Sequence, residues 1–169
     1  MASTTVILAM GDALAACLII RRKFRHEDFA FFHPGGMLGK RLILRVEDLM
    51  RRGMHCARVT EDAPVKKVLL AITHARCGSA CVIDQRGNFK GIFTDGDLRR
   101  HVESDPRLLE RKVKKVMTRN PITINKEKLA IEALGILQEK KIDELPVIDA
   151  KGKLVGLLDV QDILKAGLV

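Results

Sequence analysis

Val82-Ile83-Asp84 recurs as Val147-Ile148-Asp149, 65 positions on, and this duplication constrains the fold more than any other feature of the chain. At the same spacing Gly87 corresponds to Gly152, Gly91 to Gly156 and Asp97 to Asp162. Upstream, Val46-Glu47-Asp48-Leu49-Met50 resembles Val113-Lys114-Lys115-Val116-Met117 at a spacing of 67. A two-residue insertion in the first copy, between Met54 and Arg58, reconciles the two spacings. Ordered matches with one gap are the signature of an internal repeat.

Each copy reads as β-α-β-β-α. A short extended piece (Arg58-Val59-Thr60, then Ile122-Thr123-Ile124) precedes a helix. In the first copy Asp62 and Pro64 suit its first turn, and Val65, Val68, Leu69 and Ile72 form an apolar stripe. In the second, Asn125 is the expected cap, with Ile131, Leu134 and Leu137 on the buried face. Two strands around a tight turn follow, Ala80–Asp84 with Phe89–Phe93 and Leu145–Asp149 with Lys153–Leu158. A last helix opens at Asp95 or Gly96, and at Asp159 or Val160. One such unit is too small to bury both faces of its sheet, so the two are expected to pack as a pseudo-symmetric α+β pair.

Composition narrows the function. The 169 residues carry 30 Lys+Arg against 21 Asp+Glu, a net charge of +9, but no Trp or Tyr and only six Phe. Four of those lie between Phe24 and Phe32, so the chain offers no distributed stacking platform for single strands. The basic clusters (Arg21–Lys23, Arg51-Arg52, Arg99-Arg100, Arg111–Lys115) fall on different elements and read as solvated faces, with no nucleic-acid motif among them. Cys17, Cys56, Cys77 and Cys81 include no CxxC pair. His74, Cys77 and Cys81 lack the paired spacing and fourth ligand of a zinc site, so no metal is expected and the compartment is cytoplasmic. Residues 5–20 are apolar but interrupted by Asp12 and followed by basic residues. They read as a packed helix capped by Ser3 or Thr4, too short for a membrane span and with no signal-peptide charge order.

Gly91-Ile92-Phe93-Thr94-Asp95-Gly96-Asp97 and Gly156-Leu157-Leu158-Asp159-Val160-Gln161-Asp162 resemble the strand-to-helix motif of tandem CBS domains. The resemblance spans residues 46–169 and implies a CBS pair, 46–108 and 109–169. It implies nucleotide contacts at Thr60, Thr94, Asp97, Arg99, Thr123, Asp159 and Asp162, with Asp97 on a ribose diol and Thr94 near a phosphate. Physically, a helix N-terminus favours a phosphate and Arg99 and Arg100 favour the anion, while Thr94 and Asp97 also suit a capping box. The second copy departs from the motif, with Asp159 where Ser or Thr is usual. A carboxylate repels phosphate, so this copy is either a poorer nucleotide site or suits a different ligand.

Residues 3–42, with Leu8–Ala15 and the HPGG-containing Phe29–Leu42, resemble the end of the sugar-isomerase (SIS) domain in the D-arabinose 5-phosphate isomerases. In that family a CBS pair follows, which makes residues 1–45 the C-terminal remnant of the SIS domain. The resemblance implies His33 as a catalytic group for aldose–ketose proton transfer in an intact SIS domain; most of that domain is not in this chain, which is expected to be inactive alone. The family further implies a regulatory and assembly role in lipopolysaccharide-sugar (Kdo) synthesis. It implies a regulatory nucleotide (AMP, ATP or a CMP-sugar), no required cofactor, a homodimer or homotetramer, and neither nucleic acid nor membrane as partner. A ligand-free oligomerisation module and a free-standing AMP-binding CBS protein are the alternatives.

Overall fold

The repeat reaches the backbone as two sheets. The structure, a computed structural model, describes residues 2–25, 28 and 37–168, which divide into two units, 1–43 and 44–169. In the second unit β1 (Arg58–Thr60), β2 (Ser79–Ile83), β3 (Phe89–Thr94) and β4 (Thr118–Arg119) form one sheet in that order. The other sheet is β5 (Ile124–Asn125), β6 (Glu144–Ile148) and β7 (Leu154–Asp159). The crossover helices are α4 (Val65–Ala75) and α6 (Ala130–Lys140), and the last helices are α5 (Asp95–Val102) and α7 (Val160–Lys165). Each first strand is parallel to the next, which turns back antiparallel through the hairpin.

The two copies exchange their leading segments. Thr118 and Arg119 of the second copy pair antiparallel with Ile92 and Gly91 on β3. Reciprocally, Arg51 of the first copy bridges Leu157 on β7 through two backbone bonds of 2.7 and 3.1 Å. The side chains follow. Val46 and Met50, around the short helix α3 (Val46–Leu49), pack among Ala133, Leu137, Leu145 and Leu158 of the second copy. Val113 and Val116 pack among Val65, Val68, Val82 and Phe93 of the first. A third cluster joins Cys81 and Ile92 to Leu154 and Leu157. Each copy's core is completed by side chains of the other, which is the physical reason both are needed.

This exchange explains a repeated glycine. A Cβ on Gly91 would stand 2.5 Å from the Thr118 carbonyl oxygen, and one on Gly156 2.8 Å from that of Arg51. Only glycine lets the swapped strand approach so closely. The aspartate of the repeated Val-Ile-Asp serves the hairpin. Asp84 Oδ1 accepts from the Arg86 and Asn88 N–H groups, and Asp149 Oδ1 from those of Lys151 and Lys153. The Asn88 bonds, side chain then backbone, lower the Asp84 carboxyl to about 2. Its contribution to the turn is therefore complete at neutral pH and is lost as acid approaches that value. A pH titration of Asp84 by carbonyl NMR, beside the Asn88→Ala chain, should show its midpoint rising towards 3.8 in the variant.

Several local readings are corrected. The helix α4 begins at Val65 with Pro64 as its N-cap, so Asp62 and Pro64 precede the first turn; Asp62 instead pairs with Lys112 and Lys114 at 3.0 and 2.9 Å. Asn125 does not cap α6. It lies in β5 and its side chain accepts from the Glu127 N–H, while α6 starts five residues on after Leu129. The strand registers extend one residue beyond the expected hairpins, to Ser79 and Thr94 and to Glu144 and Asp159.

The first unit holds α1 (Ala2–Arg22) and α2 (Met37–Ile43). Starting at Ala2, α1 takes Ser3 and Thr4 into its first turn rather than using either as a cap. It is not packed: Val6, Ile7, Leu8, Met10, Leu14 and Ile20 are all exposed. Nor is it too short. Ser3–Arg22 is, by length and mean hydropathy (1.9), able to cross a membrane, since one interrupting charge, Asp12, does not offset so many aliphatic residues. His33 and the HPGG turn lie outside the described residues.

Candidate functional site

The first turns of α5 and α7 line one cleft of about 830 Å³ in the second unit. Thr94, Asp95, Gly96, Arg99 and Arg100 contribute from the first copy, and Asp143, Glu144, Asp159, Val160 and Gln161 from the second. The segment Asn120-Pro121-Ile122, between β4 and β5, closes one wall. Of the residues expected to contact a ligand, Thr94, Arg99 and Asp159 line this cleft. Asp97, Asp162, Thr60 and Thr123 do not.

Asp97 lies beneath the wall, 2% exposed. Its Oδ2 accepts from the Thr94 N–H at 2.9 Å and the Thr94 hydroxyl at 3.0 Å, while Thr94 Oγ accepts from the Asp97 N–H at 3.2 Å. Its Oδ1 accepts from Arg100 at 2.5 Å and from the Thr118 hydroxyl at 3.0 Å. The capping box is therefore real, and through Thr118 it also ties α5 to the swapped strand. Asp97→Ala should lose about 1–2 kcal/mol, chiefly the capping-box bonds to Thr94, since the exposed Arg100 and Thr118 donors regain water. Chemical denaturation would check the figure.

The second copy fills the equivalent position differently. Arg51 stands at the repeat position of Thr118, and Asp159 at that of Thr94. Arg51 donates from Nε to Asp162 Oδ2 at 2.6 Å and from a terminal nitrogen to Asp162 Oδ1 at 3.2 Å. It also pairs with Asp159 at 2.8 Å and donates to the Arg76 carbonyl at 2.9 Å. Asp159 in turn accepts from the Gln161 N–H at 2.8 Å and caps α7. The Asp159 departure is thus paired with a second departure, Arg51, and the two charges balance. Sequence reading missed Arg51 because its partner lies 111 positions away; the signal was the mismatch of Arg51 with Thr118.

Glu144 was also missed. Its Oε1 accepts from the Gly78 N–H at 2.9 Å. Burial raises its carboxyl above the ordinary range and the Asp159 charge adds to this, against the Ser79 hydroxyl, the Gly78 N–H and Arg51. The Ser79 hydroxyl is fully buried and, although close enough to favour ionised Glu144, falls outside hydrogen-bond geometry. Arg99 forms no ion pair among the described residues. No three His, Cys, Asp or Glu side chains gather as a metal site among the described residues.

The CBS domain family matches residues 46–104 and 113–169. Over 167 residues, 99% of its length, the chain is 44% identical to arabinose 5-phosphate isomerase KdsD of Pseudomonas aeruginosa and 41% identical to that of Escherichia coli. It spans about half the length (51%) of either relative. Among solved structures it resembles CBSX2 of Arabidopsis thaliana in complex with AMP, at TM-score 0.64 and 26% identity, over 74% of this chain and 96% of that one. The chain belongs to the CBS-domain family, as a tandem pair.

Proposed function

We propose that the chain is the regulatory and assembly part of a D-arabinose 5-phosphate isomerase, and that a nucleotide bound in the cleft adjusts the isomerase. The observation that carries the reading is the cleft itself, where Thr94 and Gly96 at the start of α5 and the unpaired Arg99 offer an anion site. The 26% identical CBSX2, solved with AMP, supports a nucleotide over other anions. Residues 1–45 are then the end of the SIS domain, 46–108 and 109–169 the two CBS units, and the setting is cytoplasmic. His33 belongs to sugar-phosphate chemistry completed by residues of the whole isomerase, and the interconversion of D-ribulose 5-phosphate and D-arabinose 5-phosphate is that protein's activity. No cofactor is required.

A second reading has its own support. Asp97 and Asp162 spend their carboxylates on internal bonds, as in a module built for assembly rather than sensing. Titration calorimetry with AMP, ATP, CMP and a CMP-sugar separates the two. Binding of one of them, weakened at least about tenfold by Arg99→Ala, supports sensing. If none gives heat or raises the melting temperature, sensing fails, and sedimentation then asks whether the chain forms dimers or tetramers.

A further inference from the structure

We infer that the cleft takes one ligand per chain in one orientation, an anionic group against α5 and a hydrogen-bond-donating head, such as an amine, against Asp143, Glu144 and Asp159. The inference rests on the nucleotide reading and adds stoichiometry, direction and head-group chemistry to it.

Repeat symmetry makes one ligand per copy the natural expectation, and the residues break that symmetry in three places. Arg51 occupies the second copy's position with its guanidinium bound to both carboxylates and a carbonyl. Leu164 stands where the first copy has Arg99, and the next residue, Lys165, lies 4.0 Å from Asp162, so the start of the second copy's last helix has no arginine facing the cleft. The helix α7 is also only six residues long, against eight for α5. An anionic group therefore finds a helix N-terminus and a cleft-lining arginine together in one place, at Thr94, Gly96 and Arg99.

The far wall has the opposite character. Asp143 and Glu144 replace Gly78 and Ser79 of the first copy, so two carboxylates, with Lys141 beside them, line the cleft where the other copy is neutral. Asp159 joins them; Arg51 pairs directly with Asp159 and Asp162 and acts on Glu144 through its charge alone. The buried, unpartnered Ser79 hydroxyl next to Glu144 is a donor in reserve for the ionised carboxylate. A wall of acceptors selects ligand atoms that donate and disfavours carbonyl oxygens at the same place.

AMP and IMP differ in this way, since a donor amine in the first is an acceptor oxygen in the second. Calorimetry on the whole chain is expected to give one AMP per chain. IMP is expected to bind about tenfold more weakly, and adenosine, without phosphate, at least about tenfold more weakly too. Glu144→Gln, whose amide both donates and accepts, should bring AMP and IMP within about threefold. Arg99→Ala should erase the preference for AMP over adenosine while leaving the AMP-to-IMP ratio intact. Two AMP per chain, or equal affinity for AMP and IMP in the unaltered chain, overturns this inference and leaves the nucleotide reading standing. No binding by any of the three overturns this inference, and the nucleotide reading falls with it only if ATP, CMP and a CMP-sugar give no heat either.

Discussion

Replacing Gly156 with alanine is expected to destabilise the CBS pair by about 2–3 kcal/mol, and Gly91→Ala by a similar amount. The new methyl would meet the Arg51 carbonyl oxygen and Met50 Sδ, both at 2.8 Å; at Gly91 it would meet the Thr118 carbonyl oxygen at 2.5 Å. A flexible side chain can step aside, but a backbone carbonyl in a strand pair cannot move without loosening the ladder. The loss therefore falls on the swapped strand and, through Met50 or Met117, on the opposite copy's core. At about 3 °C per kcal/mol for a chain of this size, the melting temperature should drop roughly 6–9 °C. Gly135→Ala is the internal control. A Cβ there meets nothing within 4 Å on the exposed side of α6, so alanine should stabilise by about 0.5–1 kcal/mol. Thermal melts of the three variants check both signs. Equal behaviour of Gly156→Ala and Gly135→Ala would refute the close-approach argument.

The same glycines show how far the sequence could be read. Their recurrence announced the repeat, and hairpins, last helices and the Thr94–Asp97 capping box followed from short-range patterns, because the forces that set them act within a few residues. The strand exchange was not legible. Met50 and Met117 aligned as repeat partners, but nothing in either copy says which sheet its leading segment joins. That choice is made by long-range packing, of Val46 against Leu145 and Val113 against Phe93. The site was half legible for the same reason. Thr94 and Arg99 were found because they sit on a motif, whereas Arg51 and Glu144 act through partners in the other copy, Asp162 and Gly78, that lie 111 and 66 positions away. Helix α1 failed differently: its pattern is that of a buried helix, yet its apolar side chains are exposed in this chain. Periodicity reports what a helix is suited to touch, and a helix apolar all round asks for partners on every side.

Arg51→Thr should be the most damaging single change beside the cleft, at about 3 kcal/mol or roughly 9 °C. It removes the one cation shared by Asp159 and Asp162, whose side chains are 13% and 19% exposed, and strands two neighbouring carboxylates in a poorly solvated place. The first copy supplies the remedy, for there the corresponding residues are Thr118 and Thr94, both neutral. Adding Asp159→Thr to Arg51→Thr rebuilds that pairing, so the double variant is expected to recover more than half of the loss although it carries two changes. Asp159→Thr alone should cost less, about 1 kcal/mol, because Arg51 keeps Asp162. The pH dependence follows from Glu144. Its folded carboxyl is already raised by burial, with Arg51 opposing, so removing Arg51 raises it further. A group whose folded pKa lies above its unfolded value, here 4.5, stabilises most below that value and loses its contribution as pH rises through the folded one. The Arg51→Thr deficit should therefore be greatest at neutral pH and shrink towards pH 4.5, and adding Glu144→Gln should flatten that slope. Urea denaturation of the four variants and the unaltered chain across this range tests the account. A double variant no better than Arg51→Thr, or a deficit that does not change with pH, would show that Arg51 holds the second copy by packing rather than by charge.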